Sequence, residues 1–185
     1  MYNDRCTVAA MSTTRTGIVS SAEQVFDRHG FAATGMDRLT EAAGVSTRTL
    51  YKHVGSKTGL VAAVLEARAI RFAERVEGVS SVDGLFAALA EWTAAEGARG
   101  CLFLRAQGET GGETPEVSAV VDGYRRRLRD AIARFVATEI GRTDDALADQ
   151  ILVLFEGATS AASYLGTDAI DAARHAAATV VRAER

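Results

Sequence analysis

A chain of 185 residues can bury a substantial core, and 48% apolar with 24% charged side chains is the composition of a soluble globular protein of one or two domains. No apolar run approaches the ~18 residues of a membrane helix. The N-terminus lacks a charged-then-apolar signal pattern, so a cytoplasmic protein without membrane association is expected. Cys6, Cys101 and three scattered histidines exclude a disulfide framework and a metal site.

A single proline and abundant alanine, leucine, arginine and glutamate predict an all-α fold. The net charge of −3 is unevenly spread: residues 1–60 hold seven basic and five acidic side chains, and the remainder holds 14 basic and 19 acidic. Both lysines, Lys52 and Lys57, fall in the opening stretch. This pattern predicts one phosphate-facing end on an acidic body.

Residues 1–14 show no sustained period and read as a flexible arm. The first helix is predicted from Thr16 to His29, with Ile18, Ala22, Val25, Phe26 and His29 on one buried stripe. Gly30 is placed to stop it, and Phe31 to pack back. Thr34 with Asp37 resembles a capping box for a second helix, with Gly35 as the alternative cap. That helix would bury Met36, Leu39, Ala42 and Ala43.

Gly44 and Val45 make a tight turn, and Ser46 suits the cap of a third helix. Leu50 and Val54 share its inner side, with Val45 beneath. Thr47, Arg48, Thr49, Tyr51, Lys52 and His53 spread over the opposite sides. Helix, glycine-containing turn and polar second helix together suggest a DNA-reading helix-turn-helix over about residues 35–54. A fourth helix, from about Lys57 to Glu77, is long enough to join two parts.

Further helices are predicted over 83–96, 101–108, 117–139, 144–165 and 168–182, about nine in all, with the proline in the loop 108–116. The last two are rich in small residues such as Ala158, Ala162, Ala173 and Ala177. Close helix approach of that kind suits either a helical dimer interface or a tight pair within one chain. Core packing accounts for most of the aromatic residues after residue 80, and a solvated face for Arg125 to Arg129. Clustered acid, base or metal-binding residues are lacking, so no catalytic site is assigned.

The run HGFAATGMDRLTEAAGVSTRTLYKHVGSKTGL, within Ile18 to Leu65, resembles the N-terminal signature of the tetracycline-repressor (TetR) family of bacterial transcription regulators. The likeness rests on Gly30-Phe31, Ala43-Gly44-Val45-Ser46, Thr49-Leu50-Tyr51, His53 and Ser56-Lys57, many unlike residue types at fixed offsets. Val54 stands where phenylalanine is usual, and Thr58-Gly59 where an acidic residue is usual. The start of the fourth helix is accordingly expected to be softer.

The resemblance implies a three-helix DNA-binding domain over 15–60. A helical effector-binding and dimerisation domain over 61–185 would be joined to it through the long fourth helix. The DNA-facing set is then Thr47, Arg48, Thr49, Tyr51, Lys52, His53 and Lys57, with Arg15 and Met36. A small-molecule cavity is implied, with Trp92, Phe86, Phe103, Gln107, Tyr124 and Phe155 as candidate lining. So is a homodimer, with Ile151, Leu154, Ala158, Ala162, Ala173 and Ala177 as candidate interface. The implied activity is that of a ligand-released repressor on a palindromic operator, without cofactor. The alternatives are a constitutive DNA-binding protein and a small helical enzyme.

Overall fold

The computed structural model describes the backbone from Asp4 and the side chains from Thr13 onward. The described residues form nine α-helices: α1 (Asp4–His29), α2 (Met36–Ala43), α3 (Thr47–Val54), α4 (Lys57–Arg75), α5 (Val82–Glu96), α6 (Leu102–Glu109), α7 (Pro115–Ile140), α8 (Asp145–Leu165) and α9 (Asp168–Ala183). None is long and apolar enough to cross a membrane.

Several boundaries differ from those predicted. The expected arm over 1–14 is helical from Asp4, because neither glycine nor proline interrupts the chain before Gly17. Residues 1–3 lie outside the described part. His29 is exposed, and Val19 takes a core position on α1 instead. Pro115 opens α7 rather than sitting in the loop; its missing N–H costs nothing at a first helical position.

The chain folds into two compact units. The first contains residues up to Arg68 together with Leu102–Val121, so α6 and the start of α7 pack with the N-terminal helices. Its core includes Ile18, Phe26, Phe31, Leu39, Leu50 and Leu65, all at most 2% exposed. Phe26 and Phe31 stack with ring centroids 4.8 Å apart. A buried ion pair lies inside this unit: Arg68 Nη1 donates to Glu23 Oε1 at 2.8 Å, with both side chains about nine-tenths buried. A buried charge survives only when partnered, so each of these residues holds the other in place.

The second unit contains Ala69–Cys101 and Asp122–Arg185. Phe72 meets Trp92 edge-on at 5.4 Å, and Phe155 packs against both Phe72 and Phe86 at 5.9 and 6.1 Å. Small residues of α8 and α9 bring those helices together: Ala158, Ala162 and Ala177 are at most 3% exposed. Glu139 on α7 caps α5 by accepting from Val82 N at 2.7 Å. Arg174 on α9 makes a two-pronged bond to Asp83, with both contacts at 2.6 Å.

The hydrogen bond from Arg174 holds the Asp83 carboxyl below its ordinary range. The folded-state pKa is therefore the lower one, and the stabilisation is fully present above the unfolded value of about 3.9. It is lost as pH falls through the folded value. Asp83 is largely exposed, so Asp83→Asn should cost at most about 1 kcal/mol near neutral pH. Urea unfolding below both values should show no difference between the two proteins.

Candidate nucleic-acid interface

The reading element is built by local rules. Gly44, at φ 62°, takes the left-handed conformation that ends α2, and its N–H and that of Val45 return to Glu41 O and Thr40 O at 3.1 and 3.2 Å. Ser46 is extended, and its Oγ accepts from Thr49 N at 3.1 Å, capping α3 as predicted. Leu39 and Leu50, both 0% exposed, plug the two helices into the core of the first unit.

Other details correct the sequence reading. Thr34 does not cap α2: it is fully buried, and its hydroxyl is satisfied by donating to Gly30 O at 2.7 Å. Gly35 takes the cap position, with no side-chain bond. Met36, Ala43, Val45 and Val54 are only half-buried and Ala42 is exposed, so single leucines do most of the anchoring. Nor is the start of α4 soft, because Ser56 Oγ accepts from Gly59 N at 2.9 Å. A Cβ at Gly59 would lie 2.5 Å from Val54 O, so glycine permits the tight junction of α3 with α4.

The outward face of α3 carries Thr47, Arg48, Tyr51 and Lys52, all exposed, with Tyr51 at 44%. No acidic residue occurs in the helix. Thr49 and His53 are half-buried, and Thr49 Oγ1 shares a 2.8 Å hydrogen bond with Ser46 Oγ. Lys57, half-buried at the head of α4, reaches Ala32 O at 3.4 Å and keeps donors to spare. Arg15 is exposed on α1, and Met36 opens α2. Such a face offers hydroxyl, guanidinium and ammonium donors, the groups that meet base edges and phosphates in a major groove.

The remaining candidates divide between the two units. Phe103 and Gln107 belong to the first unit, and Phe86, Trp92, Tyr124 and Phe155 to the second. Phe86, Trp92 and Phe155 are core residues, and the Arg71 guanidinium lies 5.9 Å from the Trp92 ring centre. Tyr124 lines a groove of about 680 Å³ between the end of α4 and α7, with Phe72, Ala73, Val76, Leu128 and Phe135. Apolar residues recur at helical spacing on α4 and α7, but spacing alone does not show that these two faces meet.

Of the proposed interface residues, Ile151, Ala158, Ala162, Ala173 and Ala177 are buried within the chain and Leu154 is half-buried. The small residues thus form a tight pair within one chain. The large apolar side chains left outside on α8 are Val153, Tyr164 and Leu165, at 70%, 76% and 54% exposure. Cys101 is half-buried and forms no disulfide among the described residues. Among the described residues no group of His, Cys, Asp or Glu could hold a metal ion.

The sequence signature described as bacterial regulatory proteins, tetR family, matches residues 18–64, which enclose α2, α3 and the start of α4. Over that segment the chain is similar to that family. It is 28% identical over 125 residues to the HTH-type transcriptional regulator UidR of Escherichia coli K12, a match covering 65% of this chain and 63% of UidR. The match therefore spans less than two thirds of that relative's length. The HTH-type transcriptional repressor ComR of the same organism is 32% identical over 100 residues, 49% of this chain and 48% of ComR. SCO4454, a TetR-family transcriptional regulator from Streptomyces coelicolor, shares the fold at a TM-score of 0.78. Its identity is 24%, with 94% of this chain and 96% of that one covered.

A two-turn helix depends heavily on its cap. Ser46→Ala should lower stability by about 1 kcal/mol, and Ser46→Asp by much less, because aspartate can accept the same N–H. Thermal unfolding followed by circular dichroism measures both.

Proposed function

We propose that this protein is a DNA-binding transcription regulator rather than an enzyme, reading double-stranded operator DNA with α3. The observation that carries this is the exposed Thr47, Arg48, Tyr51 and Lys52 face, free of acidic residues within its helix and fixed by Ser46 and Leu50, inside the family-matched segment. Arg48 can pair two donors with a guanine, worth about 1–3 kcal/mol of discrimination. Thr47 and Thr49 complete the base-facing turn; Tyr51, Lys52, His53 and Lys57 hold phosphates, with Arg15 and Met36 at the margin.

The functional division we propose is a DNA-binding part over 15–60 and an effector-binding and dimerising part over 61–185, without cofactor and in the cytoplasm. Two subunits would place their recognition helices about 34 Å apart, matching a palindromic operator. The outer face of α8, with Val153, Tyr164 and Leu165, supports dimerisation, because exposed apolar clusters mark interaction surfaces. The buried alanines and Ile151 would then back that face from within the chain.

A small-molecule effector in the groove beside Tyr124, which Glu74, Glu77, Arg127, Asp130 and Arg134 also line, would release DNA if it favours the subunit arrangement that misplaces the recognition helices. A coupling of about 1–3 kcal/mol is typical of such switches. Helix α4 runs from the first unit into the second and is the proposed carrier of the change.

In a mobility-shift assay with the DNA upstream of its own gene, Arg48→Ala should weaken binding by roughly 10- to 100-fold, with the melting temperature unchanged. Tyr51→Ala should weaken it less. Tight binding that survives both substitutions would overturn this reading of α3. Tyr164→Arg should shift the protein towards monomer in sedimentation velocity; an unaltered dimer would place the interface elsewhere.

A further inference from the structure

Helix α6 carries two side chains, one turn apart, that grip the end of α1 with opposite charge. Arg105 donates from Nη1 to Asp27 O at 3.0 Å and from Nη2 to Phe26 O at 3.3 Å. Its guanidinium also lies 3.7 Å from the Asp27 carboxylate. Glu109 Oε2 accepts from Phe31 N at 2.6 Å and from Ala32 N at 2.8 Å. All of these residues belong to the first compact unit.

The match follows the electrostatics of a helix end. The carbonyls at the end of α1 carry partial negative charge, and Arg105 answers them; Phe26 O also accepts from Gly30 N at 2.8 Å. Beyond Gly30, at φ 80°, the successive N–H groups of Phe31 and Ala32 form a small anion-holding concavity, which Glu109 fills. A Cβ on Gly30 would sit 2.9 Å from Glu109 Oε2, so the close seating of the carboxylate uses that glycine. The order matters: an acid at 105 and a base at 109 would meet like charges.

The gripped segment sets where α2 begins. Phe31 is 2% exposed against Phe26, Thr34 bonds back to Gly30 O, and Lys57 at the head of α4 reaches Ala32 O. Helix α6 is bounded by Gly97 and Gly100 before it and Gly111 and Gly112 after it, all at positive φ, the conformations of turns rather than helix. After the second pair the chain enters α7, which runs on into the second unit.

We infer that Arg105 and Glu109 are positioning residues for DNA recognition, making α6 the clamp that fixes the α1–α2 turn and, through it, the setting of α2 and α3. The inference rests on the reading of α3 as the DNA-facing helix.

The test uses the full chain with Glu109→Ala, Glu109→Gln and Arg105→Ala. Amide exchange followed by NMR without DNA should quicken about tenfold at Phe31, Ala32 and the α2 and α3 amides in Glu109→Ala, with α5 and α8 unchanged. Glu109→Gln, whose amide oxygen can accept the same bonds, should restore most of the protection. With the duplex upstream of its own gene, Glu109→Ala should bind about tenfold more weakly, while an unrelated duplex of equal length binds at least as well because a carboxylate has gone.

Wild-type protection of α2 and α3 in both alanine variants would overturn the proposal, as would an unchanged ratio of specific to unrelated binding. Uniform loss of protection, including α5 and α8, would also overturn it by making the clamp a general stabiliser. If the wild type itself shows no specific binding, the DNA reading fails, and the exchange pattern alone then decides whether α6 sets α2 and α3.

Discussion

Eight residues of α3 make little more than two turns, too short to hold together alone in water. The helix therefore exists because Leu50 is fully buried, and every outward side chain is aimed by that single insertion. Full burial of a leucine contributes roughly 1.5–3 kcal/mol. That is a large part of what one short helix needs, but not all of it. The rest is local: the Ser46 cap at one end and the Gly55 turn, at φ 73°, at the other. Leu39 plays the same part in α2.

Charge is arranged to complement this architecture. Three carboxylates of the first unit are tied inward or to helix ends: Glu23 to Arg68, Asp27 near Arg105, and Glu109 to two backbone amides. The α3 face is left with basic and hydroxyl groups alone. A protein of net charge −3 can thus present a cationic helix to a polyanion, because binding responds to the local field rather than to the total. In the second unit, pairs such as Arg174–Asp83 and Arg129–Asp149 are largely exposed, and orient helices more than they stabilise them.

The two compact units also redraw the chain's division. Helix α6 lies late in the sequence yet packs with the first helices, contributing Leu102 and Ala106 to their core. Sequence distance is a poor guide here, since the contacts of Arg105 and Glu109 reach across 77 to 79 positions. An element inserted in that way makes the N-terminal helices dependent on residues far outside the matched signature.

What the sequence determined by itself is whatever depends on neighbours along the chain. The all-helical class, the turn at Gly44, the Ser46 cap, the buried Leu39 and Leu50 and the outward Arg48, Tyr51 and Lys52 all follow from periodicity and capping chemistry within a few residues. Tertiary structure decided what each helix face meets. Thr34 suits a cap by spacing, but it is drawn into the core, and Gly35 takes its place. The alanines of α8 and α9 suit a subunit interface equally well, but they pack inside one chain and leave Val153 and Tyr164 outside. A helical wheel fixes which residues share a side; only the packed chain fixes what lies against that side.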